Sequence, residues 1–173
     1  MTVRCPQRLS QGGFHGDETR TMLIPDPLVA VCPGDFLTST TINSELEAAL
    51  ISTVAWNTSL LQTQKDAKVA FKGVSLAFVD TDTCFEQEDR IPYAFYRQGS
   101  HFTQEYEIVD TAGAAAPTTW VAGQGFTFAK NPSSNALVNN KIQKTSDPLA
   151  IVFRAVRDSG AVNQATALVE FAT

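Results

Sequence analysis

Long apolar runs, paired cysteines, histidines and positive charge are what this chain of 173 residues has least of. No stretch approaches the roughly 18 consecutive apolar residues that mark a membrane-spanning helix. The opening MTVRCPQRLSQGGFHGDETR holds no apolar segment of signal-peptide length, so the chain is expected to be made and used without crossing a membrane on its own. Cys5, Cys32 and Cys84 are widely spaced and form no CxxC pair, which argues against a disulfide framework and for reduced thiols. The two histidines, His15 and His101, have no partner at metal-ligand spacing, so neither a metal nor a cofactor is expected. Lys and Arg number 13 against 18 Asp and Glu, giving a formal net charge of −5. That field repels phosphate backbones and speaks against direct nucleic-acid binding.

Other scarcities narrow the reading further. Charged residues make up 18% of the chain, below the roughly 25% usual for soluble domains, as expected where a partner covers part of the surface. Aromatics are weighted to Phe, with 11 against 3 Tyr and 2 Trp, a balance that favours buried packing over the Tyr- and Trp-rich platforms that stack sugars or bases. No internal repeat and no low-complexity tract is evident. GVSLA at 73–77 approaches the GxSxG nucleophile elbow, but the last glycine is missing and Ser75 sits in the middle of a strand pattern. Gly123-Gln124-Gly125 leads into FTFA, a strand pattern, and not into the helix N-terminus that a phosphate loop requires. Asp80, Asp82, Glu86, Glu88 and Asp89 form an acidic cluster without the glycine and terminal glutamate of an EF-hand loop, and read as a solvated loop.

What is present points to a β-rich domain with an arm. Residues 1–24 mix Gly12, Gly13 and Gly16 with Arg4, Arg8 and Arg20 and follow neither helical nor strand periodicity, so they read as an extended N-terminal arm. Residues 25–173 read as a single β-rich domain. Pro25, Pro27 and Pro33 suit edge strands and turns, and CPGD at 32–35 is a β-turn pattern. Ser44 and Glu47 at capping-box spacing, with Leu46, Ala49, Leu50 and Thr53 behind them, predict a short helix over 45–55. Leu60, Thr63, Ala67, Ala70 and Phe71 share a helical face that Gly73 ends, predicting a second helix over 58–71. From Val74 the period becomes 2, with both faces nearly apolar, so a strand covered on both sides is expected. IPYAFYRQGSHFTQEYEIV at 91–109 has the alternation and central Gln98-Gly99 of a hairpin. Short strands then follow around Phe126, Phe128, Leu137 and Ile142, and the chain closes with strands through Phe153 and through Ala167, Val169 and Phe171. The fold class expected is mainly β: a compact β-barrel or β-sandwich with one or two short helices.

Taken in order, WNTSLLQTQKDAKVAF, KGVSLAFVDTD, IPYAFYRQGSHFTQEYEI, VAGQGFTF, NALVNNKI and DPLAIVFRAVRDSGAVNQATALVEF, spanning roughly 56–172, resemble the capsid cement (decoration) proteins of tailed bacteriophages. The matching turns and strands are Gly73-Val74, Gly99 to Phe102, Gly123 to Phe126 and Asp147 to Ile151. The resemblance implies a structural virion protein, not an enzyme, made in the host cytoplasm and bound to the outer surface of the expanded shell. Its partner would be the major capsid protein. Self-association as a homotrimer on local three-fold axes is implied, with a homodimer on two-fold axes as the alternative. Arg4, Arg8, Phe14 and Arg20 are the candidate capsid contacts. Two other function classes remain open at this level: a virion spike or tail-tip module that binds a host glycan, and a small oligomeric β-fold hydrolase with sites between subunits.

Overall fold

A computed structural model describes residues 19–23, 30–42, 45–76, 90–96 and 102–172. It is mainly β, as expected, but the strands build two closed five-stranded barrels in tandem where a single barrel or sandwich was expected. The first is made of β1 (Thr19–Leu23), β2 (Phe36–Ile42), β3 (Glu45–Leu50), β4 (Gly73–Ser75) and β5 (Arg90–Phe95), and the second of β6 (Thr103–Val109), β7 (Gly125–Lys130), β8 (Leu137–Lys144), β9 (Phe153–Ala155) and β10 (Thr166–Phe171). A 3-10 turn (Ile51–Thr53) and one helix, α1 (Leu60–Ala70), connect β3 to β4.

The two barrels are the same ladder built twice. Around the first, the order is β1-β3-β2-β4-β5 with β1 and β3 parallel and every other pair antiparallel; around the second it is β6-β8-β7-β9-β10 with β6 and β8 parallel. Register agrees as well as order, except that β7 shifts against β8 between Phe128 and Lys130. When Leu37↔Leu50 is laid on Phe126↔Lys144, Leu37↔Gly73 falls on Phe126↔Phe153, Ser75↔Tyr93 on Ala155↔Val169, and Met22↔Ile91 on Tyr106↔Ala167. The parallel pair Leu23↔Glu47 then lands on Glu107↔Lys141. Because a barrel is a closed ring, that last agreement means the two share one stagger, the quantity that fixes strand tilt and barrel width.

Bonds outside the ladders repeat too. Gly34 N–H donates to the Ser75 carbonyl at 2.8 Å and Gly123 N–H to the Ala155 carbonyl at 2.8 Å; Ser75 N–H reaches the Asp35 carbonyl at 2.9 Å and Ala155 N–H that of Gln124 at 2.9 Å. Gly34 (φ 96°) and Gly123 (φ 80°) occupy the same left-handed turn position, which glycine adopts without a Cβ penalty. Yet among the matched strand and turn positions only Thr19/Thr103, Gly34/Gly123, Thr38/Thr127 and Phe95/Phe171 keep the same residue.

The copies differ where they meet. The outer face of β2, β4 and β5 is apolar in the first barrel, with Phe36, Val74 and Ala94 buried. These side chains join Phe71, Tyr106, Phe128, Phe153 and Phe171 in the larger core cluster. The same positions in the second barrel are Gly125, Arg154 and Glu170, and Arg154 and Glu170 are exposed. The first barrel therefore docks against the second, while the equivalent face of the second carries exposed charge. The first barrel keeps a smaller core of its own, from Met22, Val31, Leu37, Ala48, Leu50, Ile91 and Tyr93.

Several sequence expectations are met. The helix over 58–71 is α1, capped by Ser59, whose hydroxyl accepts from Gln62 N–H at 3.2 Å, and it buries Thr63, Gln64 and Ala67. β4 is buried on every residue. CPGD turns, with Asp35 N–H donating to the Cys32 carbonyl at 3.0 Å.

Four expectations are corrected. The helix over 45–55 is strand β3 followed by the 3-10 turn. Ala48 and Leu50 enter the core at strand spacing while Leu46 is left exposed, and bonding to both β1 and β2 outweighs local helix propensity. The 91–109 hairpin does not form: β5 pairs with β1 and β4, and β6 with β8 and β10, so both strands have spent their edges in different barrels. Residues 19–23, assigned to the arm, form β1. Finally, Cys32 is buried and disulfide-bonded, contrary to the expectation of free thiols; Cys5 and Cys84 lie outside the described residues.

Candidate functional site

Two surfaces hold the residues that bear on function. The first surrounds Arg20 on β1, whose guanidinium carbon sits 4.4 Å from the centre of the Phe95 ring, within cation–π range. Arg20 is exposed. Strand β1 fixes its backbone through pairing with Tyr93 on β5, so this candidate contact is presented from a barrel wall and not from an arm. Arg4, Arg8 and Phe14, with His15, His101 and the acidic cluster at 80–89, lie outside the described residues. The structure thus places one of the four candidate contacts.

The second surface was not singled out by sequence. In the second barrel, the segment preceding β7 and the loop between β9 and β10 gather around Trp120. Its indole N–H donates to the Arg157 carbonyl at 3.0 Å, and its backbone N–H to the Ser159 hydroxyl at 2.9 Å. Asp158 Oδ1 accepts from Ala122 N–H at 2.5 Å, Arg154 donates to the Gly123 carbonyl at 3.0 Å, and Lys144 Nζ to the Thr119 carbonyl at 2.9 Å. Between the outer face of β6 and β10 and this loop runs a groove of about 390 Å³ lined by Glu105, Trp120, Arg157, Asp158, Gln164 and Thr166. A second hollow of about 350 Å³ lies on the other side of Trp120, against Val121, Gln124 and Lys144.

The two carboxylates that line the groove are committed to structure. Glu105 accepts from the Thr166 hydroxyl, and Asp158 is the acceptor for Ala122 just described. A catalytic pair needs a nucleophile and base within reach of each other and of solvent. Ser75, the nearest approach to a nucleophile motif, is fully buried within β4. Among the described residues no cluster of three or more His, Cys, Asp or Glu is placed to hold a metal ion. What the surface does offer is apolar contact from its loops: Val121 is 67% exposed and Val162 69%, while Leu149, 68% exposed, lies on the β8–β9 connection, where Asp147 pairs with Lys65 of α1. Loops fixed by backbone hydrogen bonds and carrying bare valine and leucine are suited to docking on another protein surface.

The sequence signal for this surface is weak, since Trp120 ends the small-residue run DTAGAAAPTTW at 110–120, which has no strand or helix periodicity. The comparisons supply no further guide: no family model matches the chain, and no curated protein or solved structure is similar to it.

Proposed function

We propose that the chain is a capsid cement protein that binds the outer surface of an expanded major-capsid-protein shell and bridges neighbouring subunits. The observation that carries the reading is the tandem barrel itself, whose loops present Val121, Leu149 and Val162 to solvent while Asp110, Asp147 and Asp158 tie down turns. Two of the motifs that resemble phage cement proteins lie on this scaffold, with Gly73-Val74 opening β4 and Gly123 turning into β7. A net charge of −5 suits a surface that faces away from packaged DNA.

Cementing follows from mass action. A ligand that binds only the expanded lattice stabilises it by RT ln(1 + [L]/Kd), and many symmetric copies multiply the effect over a shell. A homotrimer on the local three-fold axes is the arrangement proposed, with the lattice imposing its symmetry on what it binds; a homodimer on two-fold axes is the alternative. The groove beside Trp120 favours one rival, a spike or tail-tip module that holds a glycan.

Removing residues 1–18 and replacing Arg20 with Ala keeps the rest of β1, which begins at Thr19. This variant should bind shells depleted of the protein at least about tenfold more weakly than the parent, roughly 1.4 kcal/mol, read from occupancy in a titration. Equal occupancy would remove the segment and Arg20 from the contact. Val121→Asp, on the second barrel, tests the loop surface in the same titration, where loss of binding is expected.

A further inference from the structure

The Cys32–Asp35 turn, which leads into β2 where the first barrel meets the second, contains a carboxylate with no positive partner among the described residues. Asp35 follows the left-handed Gly34 and is 5% exposed. Its Oδ2 accepts from the Cys32 N–H of its own turn at 2.8 Å, and its side chain is hydrogen-bonded to Asn140 of β8, in the second barrel. Beside it, the fully buried Tyr106 of β6 donates its hydroxyl to the Gly34 carbonyl at 2.9 Å. Asp35 thus sits in the seam, held by one turn amide and one side chain from the opposite barrel.

The groups facing this carboxylate are neutral donors. Among the described residues Tyr106, whose hydroxyl is given to Gly34, is the titratable neighbour; burial together with the Asp35 charge pushes its phenol well above the ordinary range, so it stays protonated wherever Asp35 titrates. No lysine or arginine among the described residues offsets the charge. An ionised carboxylate in such a place has lost water without gaining a counter-ion. The repeat offers an internal comparison: the position matching Asp35 in the second barrel is Gln124, neutral at all pH, whose side chain donates to the carbonyls of Gly125 and Thr145.

We propose that Asp35 is an acid-operated clamp: taking up a proton removes an uncompensated charge from the seam, while the carboxyl can still accept from Cys32 and Asn140, and so stabilises the junction between the two barrels. Burial raises the Asp35 carboxyl from 3.8 to about 6, the hydrogen bonds from Cys32 and Asn140 opposing the rise. The folded chain therefore holds this proton more tightly than the unfolded one. As pH falls through the window between about 6 and 3.8, the native state gains relative to the unfolded. Above the window the buried charge is a constant penalty, and below it the two states are equally protonated at this site.

The full chain and its Asp35→Asn variant are compared by denaturant titration and amide hydrogen exchange from pH 4 to pH 8. At pH 7.5 the variant should have a folding equilibrium constant larger by a factor on the order of a hundred, with the difference fading toward pH 4. In the parent, exchange at the Cys32, Asp35 and Ser75 amides should slow on acidification relative to the matching Val121, Gln124 and Ala155 amides, and the variant should lose that pH dependence. The proposal is overturned if parent and variant show parallel pH profiles, or if both turns respond alike. Should the variant fail to fold, the parent's Asp35 carboxyl carbon is followed by NMR: a midpoint near 6 supports the clamp, and one near 4 overturns it.

Discussion

Phe36→Ala will destabilise the protein by about 3–5 kcal/mol, the range for emptying a large aromatic from a packed core. Phe36 is fully buried although it belongs to the outer face of its own barrel. Its ring centre lies 4.9 Å from that of Tyr106, 5.2 Å from Phe128, 5.3 Å from Phe153 and 6.2 Å from Phe71, so three of its four neighbours come from the second barrel. Truncation opens a hole where two closed barrels meet, and closed barrels collapse around a hole less readily than a loop does. Urea denaturation followed by far-ultraviolet circular dichroism measures the loss. The second barrel has Gly125 at this position, so Phe36 is a residue one copy needs and the other does without. A change below about 1 kcal/mol would show that the barrels hold together by other means.

Gly73→Ala will destabilise by at least about 3 kcal/mol, from backbone strain and overpacking together. A Cβ on Gly73 would stand 1.9 Å from the Ala94 carbonyl oxygen and 2.8 Å from Cδ2 of Tyr93, at a backbone φ of +154°. The matching residue in the second barrel is Phe153, and the one matching Tyr93 is Val169, so the barrels fill the same space from opposite strands. Replacing Tyr93 by Val as well relieves the ring contact but leaves the clash with the β5 backbone, and only a minor part of the stability should return. Thermal denaturation of parent, single and double variants measures this. A single variant as stable as the parent would mean that β4 and β5 are farther apart than the ladder places them.

These two sites show what the sequence conveyed and what it did not. Strand alternation is written by the residues themselves, so β7, β8 and β10 were legible from Phe126 and Phe128, from Leu137 and Ile142, and from Ala167, Val169 and Phe171. The helix α1 was legible for the same reason. The duplication was not, because a ladder is specified by backbone pairing and inside–outside pattern, which Leu37 and Phe126, or Met22 and Tyr106, satisfy equally well. The outer faces diverged further, since Phe36, Val74 and Ala94 became a seam while Gly125, Arg154 and Glu170 became a surface. Pairing partners were hidden as well: β5 and β6 look like hairpin arms until the strands that already occupy their edges are known. Asp35 gave no sequence signal beyond a common turn residue, because its burial depends on Asn140 and Tyr106, far along the chain. Of the candidate contacts, Arg20 was legible as a spaced arginine, but its place on β1 over Phe95 depends on a pairing that residues 1–24 do not reveal.

The most direct test of the proposed role is the number of copies of this chain per purified source particle, measured by quantitative peptide mass spectrometry against the major capsid protein. A cement protein should approach about one copy per capsid subunit, or one trimer per three-fold position, as lattice symmetry demands. A handful of copies per particle would contradict the account and move the chain to a spike or tail tip, and absence from the particle would reject the virion role.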